Sequence, residues 1–384
     1  MLTVMRIPDV RRLARARLAS LTGDFALPVL LAFLVLGPLR GTATGLGFVL
    51  GAHVAGNFLF RLVGRAWTAR VRANRAVIAA NLGCAAIQAA VLGLYVAHTL
   101  AVPVLAGLML WRGLASAFAA NVPRPRGLPP AANVALGLVP AVAVVIGPLA
   151  GLGLIAAAGP AGVLVFDVVL LLVSAASMAR VRSAGEFRPA TDFRAGFREV
   201  VQRRRLLRSV GLLAGVNLLA AGPLMTLTAT RSGYAVVLSA LGLGAVVGGL
   251  FSGYLRKWSP LLALIPAAVG PFVLGLRAPL ILAVVAFAVV GAVQSVHEVL
   301  WSGALRTLPQ AASFEELASL AVLPVGQVLG GLAVDRWGFT MTAWAVVAGL
   351  FVLPLLGGVP PPRPRTRPGR ADIRTGSPAS AASP

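Results

Sequence analysis

The sequence predicts an all-α membrane protein in which twelve transmembrane helices form two halves of six helices each. Three features predict this fold class: apolar stretches long enough to cross a bilayer, an uneven distribution of basic residues between alternate connections, and one long polar interval near the middle. Together they predict the number of crossings, the orientation and the division into halves.

The composition excludes a soluble protein. Hydrophobic residues make up 58% of the chain, charged residues only 12%, and the mean hydropathy is +0.88, whereas soluble domains are about a quarter charged. A helix needs about 20 apolar residues to cross roughly 30 Å of hydrocarbon. The apolar stretches predict spans at 18–38, 43–63, 76–97, 99–119, 132–155, 160–180, 208–229, 234–255, 260–276, 279–302, 316–334 and 340–358.

The basic residues indicate the orientation. Of the 34 lysines and arginines, 30 lie towards one side of the predicted helices, and the other side has only four: Arg40, Arg231, Arg277 and Arg336. Cytoplasmic loops retain lysine and arginine, so both termini are predicted to be cytoplasmic in a multi-pass protein of the cell membrane. The net charge of +23 is concentrated at helix ends, which predicts anionic lipid headgroups, and not nucleic acid, as its partner.

The polar interval predicts the domain division. It separates an N-terminal half (1–180) from a C-terminal half (208–358), with a cytoplasmic linker at 181–207 and a tail at 359–384. In the linker, apolar residues recur at helical spacing among arginines, which predicts an amphipathic helix on the inner membrane face, with a plain charged linker as the alternative. The tail is rich in Pro, Arg and Ser and is predicted to be disordered.

Local segments, together with the six-plus-six arrangement, resemble the major facilitator superfamily. Gly23-Asp24 is similar to the Gly-Asp of the first helix in many drug and siderophore exporters. The segment from Gly64 to Arg75 falls where that family has a gating loop, which assigns Gly64, Arg70, Arg72 and Arg75 to the loop. Ala69 stands where the family usually has an acidic partner for those arginines.

Two further segments place the resemblance in the exporter branch that includes enterobactin and macrolide efflux proteins. Gly147, Pro148 and Gly151 resemble the signature of the fifth helix in antiporter-type exporters, with Ala143 in place of a glycine. The stretch 296–327 resembles the tenth and eleventh helices of the branch. The resemblance implies the major facilitator fold, a central cavity lined by the first, fourth, seventh and tenth helices, and a monomer.

Acidic residues inside the predicted spans are functional candidates, because inserting an ionisable group into a membrane costs a few kcal/mol or more. These are Asp24, Asp167 and Glu298, while Glu316 lies at a span boundary. Arg112 falls at a depth similar to that of Asp24, and we expect the two to pair. Asp24 or Glu298 is predicted to take up and release a proton, with a static ion pair as the alternative; Asp167 is expected to be structural.

The helices that the resemblance assigns to the cavity carry further polar and aromatic residues. The predicted substrate-cavity residues are Trp111, Asn217, Gln294 and Trp301. Gln294 and Glu298 are four residues apart and therefore share one helix face. Trp111 and Trp301 are the candidates for stacking on a substrate.

Other classes of chemistry lack their usual residues. The sequence has one lysine, Lys257, and no glycine-rich loop that ends in lysine, which excludes a P-loop ATPase within this chain. His53 and His297 have no partners at metal-ligand spacing, so no metal is expected. The single Cys84 forms no internal disulfide. We expect a protein that is not an enzyme and that needs no cofactor, with the proton gradient as its energy source.

The leading interpretation is a proton-coupled exporter of a hydrophobic or amphipathic small molecule such as a drug, siderophore or natural product. A facilitator or importer is the alternative within transport, because the fold does not determine direction. A non-transporting homologue that acts as a membrane sensor or scaffold is the alternative from another class. Ala69 favours that reading, as do two segments shorter than the branch pattern, near 121–130 and 226–234.

Overall fold

The computed structural model describes residues 7–64, 73–120, 130–181, 193–229, 233–252, 254 and 268–357, which are almost entirely helical and contain no strand. Several predictions from the sequence lie outside these residues. They concern Ala69, Arg70 and Arg72, the segment 121–129, most of the ninth span and the tail from 359.

The N-terminal half contains five helices, numbered here in chain order. They are α1 (Pro8–Leu36), α2 (Ala43–Leu59), α3 (Ala73–Val96), α4 (Val102–Ala120) and α5 (Pro130–Ala179). A π-helical turn, Phe60–Gly64, continues α2.

The linker and the C-terminal half contain the remaining described helices. They are α6 (Phe193–Gln202), α7 (Arg204–Val216), α8 (Gly222–Ala229), α9 (Tyr234–Phe251), α10 (Val269–Gly275), α11 (Leu280–Leu305) and α12 (Pro309–Gly357). A π-helical turn, Asn217–Ala221, joins α7 to α8.

The two longest helices, α5 and α12, each bend at one glycine. Gly159 has φ 66° and Gly338 has φ 79°, a left-handed conformation that glycine adopts without steric cost. Gly147 and Asp167 both contact α1, at Thr22 and Gly23, although twenty residues of straight helix would separate them by about 30 Å. The chain therefore doubles back at Gly159.

The bends explain how the described helices account for the predicted crossings. Eight helices are long and apolar enough to cross a membrane, and α4 is a shorter apolar helix. Because α5 and α12 each supply two crossings, eleven of the twelve predicted spans correspond to described helices. The ninth predicted span overlaps only the seven residues of α10.

Glycines allow helix backbones to touch at corresponding places in the two halves. A Cβ atom on Gly56 would overlap the carbonyl oxygen of Leu110, where α2 crosses α4. A Cβ atom on Gly244 would overlap that of Ala288, where α9 crosses α11. Small residues permit such close approach in a membrane, where lipid provides no hydrophobic drive for helix association.

The seam between the halves runs along α2 and the first arm of α12. A Cβ atom on Gly47 would overlap the backbone of Gln327, and one on Gly51 would lie 3.1 Å from the carbonyl oxygen of Pro324. On the other side of the molecule, Gly242 of α9 packs against Val144 of α5. Each half therefore contributes a glycine-containing helix to its contact with the other.

Polar contacts join the two ends of this seam. At the start of α2, the Asp335 carboxylate accepts hydrogen bonds from the backbone N–H of Ala43 (3.1 Å) and of Thr44 (2.8 Å). Near the other end, Arg61 forms an ion pair with Glu316. The two halves are thus linked at both ends of the α2–α12 seam.

The linker contains the predicted amphipathic helix, α6, but part of its apolar face packs on protein. A Cβ atom on Gly196 would overlap the backbone of Gln310 at the start of α12. The rings of Phe197 and Phe314 lie 5.6 Å apart, and Val200 is fully buried. Contact with the C-terminal half therefore covers Val200, whereas Phe197 and Val201 stay exposed on the face that the sequence assigned to the membrane.

Candidate functional site

A buried ion cluster joins three helices of the N-terminal half. The Nη1 atom of Arg112, on α4, lies 3.2 Å from Oδ1 of Asp24, on α1. The Nη2 atom of Arg112 donates a hydrogen bond to Oδ2 of Asp167, on α5, at 2.8 Å. The predicted pairing of Asp24 with Arg112 is therefore present, with a second acid added to it.

The burial of the three side chains is unequal. The side chain of Arg112 is 0% exposed and that of Asp167 is 3% exposed, whereas that of Asp24 is 25% exposed. Asp24 is therefore the more accessible of the two carboxylates, and its contact with the guanidinium is the longer one.

Asp167, expected from the sequence to be structural, belongs to this cluster. It lies 8 residues from the turn at Gly159, Arg112 lies 10 residues from the start of α4, and Asp24 lies 12 residues from the end of α1. At 1.5 Å per residue these positions are about 12 to 18 Å from the same end of the bundle. Counting residues from those ends places Asp167 at the depth of the pair, but depth alone does not say that its side chain turns towards Arg112.

Glycines make room for the cluster around α1. A Cβ atom on Gly23 would overlap Oδ1 of Asp167. On the neighbouring surface of α1, a Cβ atom on Gly147 would lie 2.8 Å from the carbonyl oxygen of Thr22 and 2.7 Å from Cβ of Phe25. The two segments that carry the sequence resemblance, Gly23-Asp24 and the one around Gly147, thus meet at the ion cluster.

Buried polar side chains extend from the cluster towards the beginning of α1. The hydroxyl of Ser20 donates to Oδ1 of Asn81 at 3.4 Å, and Nδ2 of Asn81 donates to the hydroxyl of Ser174 at 3.0 Å. A cavity of about 140 Å³ lies beside them, and Arg17 and Asp24 also line it.

The cluster has an odd number of charges. When all three groups are ionised, one guanidinium faces two carboxylates and leaves one net negative charge inside the bundle. Such a charge is unfavourable away from water, and a second carboxylate nearby disfavours ionisation of the first. Binding one proton makes the cluster neutral, so the arrangement is suited to holding and releasing a proton.

The C-terminal half has no counterpart to this cluster among its described residues. Gly113 contacts α2 as Gly291 contacts α9, and this correspondence places Val290 where the N-terminal half has Arg112. Counted from the turns at Gly159 and Gly338, Val346 holds the position in the C-terminal half that corresponds to Asp167. Val290 and Val346 are both buried apolar residues. The ion cluster is therefore a difference between two halves whose helices otherwise pack in corresponding ways.

Four of the other predicted site residues are at least partly exposed. Gln294 and Glu298 are exposed on their shared face of α11, Trp111 is 63% exposed, and Asn217 is partly exposed at the start of a π-helical turn. All four stay candidates for contact with a substrate or a proton.

Trp301, also predicted to line the substrate cavity, is buried. It is 5% exposed and packs with Val200 of α6, Leu213 of α7 and Leu305 of α11. Its ring stacks on His297 at a centroid distance of 6.2 Å. Docking of the linker helix covers this tryptophan, and a sequence pattern on one helix cannot reveal such cover.

The gating-loop prediction is only partly within the described residues. Gly64 ends the π-helical turn after α2, and Arg75 is exposed near the start of α3. Arg61, just before the loop, forms the link to Glu316. Across the described ranges, no three His, Cys, Asp or Glu side chains are grouped so that they could hold a metal ion.

Comparison with solved structures identifies the fold. A mutant of the nucleoside transporter NupG aligns with a TM-score of 0.68 at 11% identity, over 91% of this chain and 98% of its own. An auto-inhibited peptide transporter of the POT family aligns with a TM-score of 0.70 at 12% identity, over 93% and 98%. The chain has the major facilitator fold.

A third similar structure is a bacterial homologue of the human drug peptide transporters, with a TM-score of 0.62 at 13% identity, over 91% of this chain and 95% of its own. All three of these proteins are transporters. No known protein-family profile matches the sequence, and no curated protein matches it. The fold and the eight apolar helices make this chain a multi-pass membrane protein.

Proposed function

We propose that this protein is a proton-coupled secondary transporter in which the Asp24–Arg112–Asp167 cluster binds the coupling proton. The observation that carries the proposal is an arginine held between two acids inside a bundle of the major facilitator fold. Its single excess negative charge gives the site a reason to bind one proton.

Asp24 is the carboxylate that accepts the proton. It is more exposed than Asp167 and lies farther from the guanidinium, at 3.2 Å against 2.8 Å. Protonation removes the charge that holds Asp24 to Arg112 and leaves the Arg112–Asp167 pair intact. The tie between α1 and α4 weakens, so the two protonation states favour different helix arrangements, which is the requirement for coupling.

The direction of transport and the class of substrate rest on the sequence. The resemblance of segment 296–327 to drug and siderophore exporters supports export of a hydrophobic or amphipathic small molecule. The similar folds of nucleoside and peptide transporters support a second candidate, the transport of a small polar molecule. Facilitated transport without coupling is the alternative that the ion cluster argues against.

Reconstituted vesicles with an imposed pH gradient test the proposal. The probes are the amphipathic dye Hoechst 33342, the nucleoside uridine and the dipeptide alanyl-alanine, each followed with and without the gradient. We expect the gradient to concentrate one of them in wild-type vesicles. Asp24→Asn should abolish this accumulation while exchange of the same probe without a gradient continues.

Asp9→Asn is the matched control, because Asp9 is an acid on the same helix whose ion pair with Arg12 is not buried. This variant should transport as the wild type does. Equal flux with and without the gradient would show a facilitator, and accumulation by Asp24→Asn would show a static ion pair. No movement of any probe would favour the sensor or scaffold.

Glu298 is the second predicted proton carrier and is tested in the same vesicles. Its carboxyl is exposed on α11 within electrostatic range of Glu315, a less protected place than the ion cluster. Loss of gradient-driven accumulation in Glu298→Gln, at normal protein levels in the membrane, would make it part of the coupling route. Unchanged accumulation would remove it from the mechanism.

A further inference from the structure

The cavity beside Asp24 has a function of its own in our interpretation. We propose that protons travel between Asp24 and the aqueous phase through this cavity, which lies inside the N-terminal half and not between the halves. The proposal rests on the proposed role of Asp24 as the proton acceptor, and it adds the route.

The position of the cavity supports a separate route. Its lining comes from α1, α3 and both arms of α5, and every lining residue belongs to the N-terminal half. It extends along α1 from Leu13 to Asp24, a distance of about 16 Å at 1.5 Å per residue. This is about half of a hydrocarbon core roughly 30 Å thick, so the cavity extends from the ion cluster towards the side on which α1 begins.

One wall of this largely apolar cavity carries polar side chains that hold water. Ser20, Asn81 and Ser174 are buried and form a hydrogen-bonded row along one wall, whereas polar groups in an apolar wall are costly unless they have partners. A water molecule occupies about 30 Å³, so 140 Å³ has room for a short chain of them. The chain of waters carries the proton, and the side chains orient it.

The proton balance of the step is simple. A proton leaves a hydronium ion in the cavity and binds an oxygen of the Asp24 carboxylate, and the reverse step returns it to water. The titratable and charged groups near Asp24 on its own helix and the neighbouring helices are Arg17, which lines the same cavity, and Arg112, Asp167 and Cys84. His53 lies near Arg112. The two arginines disfavour a second proton at the cluster.

The route has a consequence for transport. No described residue of the C-terminal half lines the cavity. Protons therefore reach Asp24 from the side of the membrane on which α1 begins, whether or not a substrate occupies the space between the halves. The distribution of basic residues predicts that this side is cytoplasmic. The cavity would then be the cytoplasmic branch of the proton path.

Cysteine labelling tests whether water reaches the cavity. The chain has one cysteine, Cys84, which is buried, so Cys84→Ala provides a cysteine-free background. Ser174→Cys places a thiol on the cavity wall, and Gln88→Cys places one at a buried position of α3 outside the cavity. In vesicles, we expect 2-aminoethyl methanethiosulfonate to modify Ser174→Cys at least about tenfold faster than Gln88→Cys, because the reaction requires an accessible thiolate.

A second pair of variants tests proton movement. Asn81→Leu removes the central polar group of the cavity wall and should slow gradient-driven accumulation of the transported probe roughly tenfold, since a positioned proton-transfer path contributes at least that much. Exchange of the probe without a gradient should not change. Gln88→Leu makes the same amide-to-leucine change on the same helix, outside the cavity, and should leave both rates unaltered.

The outcomes separate this proposal from the proposed function. If Asp24→Asn abolishes coupling but Ser174→Cys labels as slowly as Gln88→Cys, the route through the cavity is wrong and the function stands. If Asp24→Asn retains coupling, the function fails and the route fails with it. Accumulation driven by a sodium gradient and not by pH would also overturn the route. Should Asn81→Leu fail to fold, the labelling of Ser174→Cys still decides.

Discussion

The two halves of the protein share their packing, but only the N-terminal half holds a buried ion cluster among the described residues. Gly56 against Leu110 in one half repeats as Gly244 against Ala288 in the other, yet the place of Arg112 is taken by Val290. Apolar side chains therefore suffice for this packing. Buried ion pairs are often no more stabilising than apolar residues of similar volume, so the fold itself gives no reason for the charges, which points to function.

The largest effect should come from removing the arginine that is unique to the N-terminal half. Arg112→Met leaves two acids without their cation, which should destabilise the protein by about 3–5 kcal/mol. Thermal unfolding of the detergent-purified protein and its amount in the membrane measure this. Arg306→Met, at an exposed arginine that follows α11, is the control and should change little. Equal losses in the two variants would contradict a buried ion cluster.

Converting the cluster to the apolar chemistry of the other half should separate stability from function. The free energy of unfolding of the triple variant Asp24→Leu, Arg112→Met and Asp167→Val should lie within about 1–2 kcal/mol of the wild-type value, since a complete ion cluster can be exchanged for apolar residues at little cost. It should show no gradient-driven transport in vesicles. Transport by the triple variant would end the argument from asymmetry.

The shared packing should respond in both halves to the same change. Gly56→Ala and Gly244→Ala each place a methyl group against a backbone carbonyl of the neighbouring helix, and overpacking costs about 1–3 kcal/mol. The unfolding temperature of each should fall by a similar amount. Gly83→Ala is the control, because a Cβ atom there meets nothing within 4 Å. A lower unfolding temperature in only one of the two variants would argue against equivalent packing in the two halves.

The smallest effect should come from the contact that joins the halves at the start of α2. Asp335, on α12, places a negative charge beside the first turn of α2. Asp335→Asn removes this charge, and charges at that position contribute about 0.3–1 kcal/mol to stability. Thr99→Ala is the control, because the Thr99 hydroxyl donates a hydrogen bond to the carbonyl oxygen of Leu94 at the end of α3 and both residues belong to the N-terminal half.

Labelling at the seam distinguishes these two variants. In the Cys84→Ala background, Gln327→Cys places a thiol on the α2–α12 seam, where Gln327 is 6% exposed. Asp335→Asn should increase its labelling rate, whereas Thr99→Ala should not, even if both lower the unfolding temperature. Equal rates in the two would mean that Asp335 only caps a helix.

Much of the fold was predictable because hydropathy and charge act on whole helices. Eleven predicted spans match described helices, and the depth of Asp24 and Arg112 was enough to predict their pairing. Asp167 was missed as a partner because depth alone does not say which face of a helix turns inward. The burial of Trp301 was missed for a related reason: it depends on where α6 docks, which is a tertiary contact between segments remote in sequence.

The single-residue turns at Gly159 and Gly338 have a practical consequence. Each joins two membrane crossings with one non-helical residue, so neither presents an external loop to an antibody or a protease. An epitope tag inserted at either glycine would replace a tight reversal with a flexible tether. The connections at Arg40, His98 and Arg277, where the helix ends are separated by a few residues, are therefore better places for topology reporters on that side of the membrane.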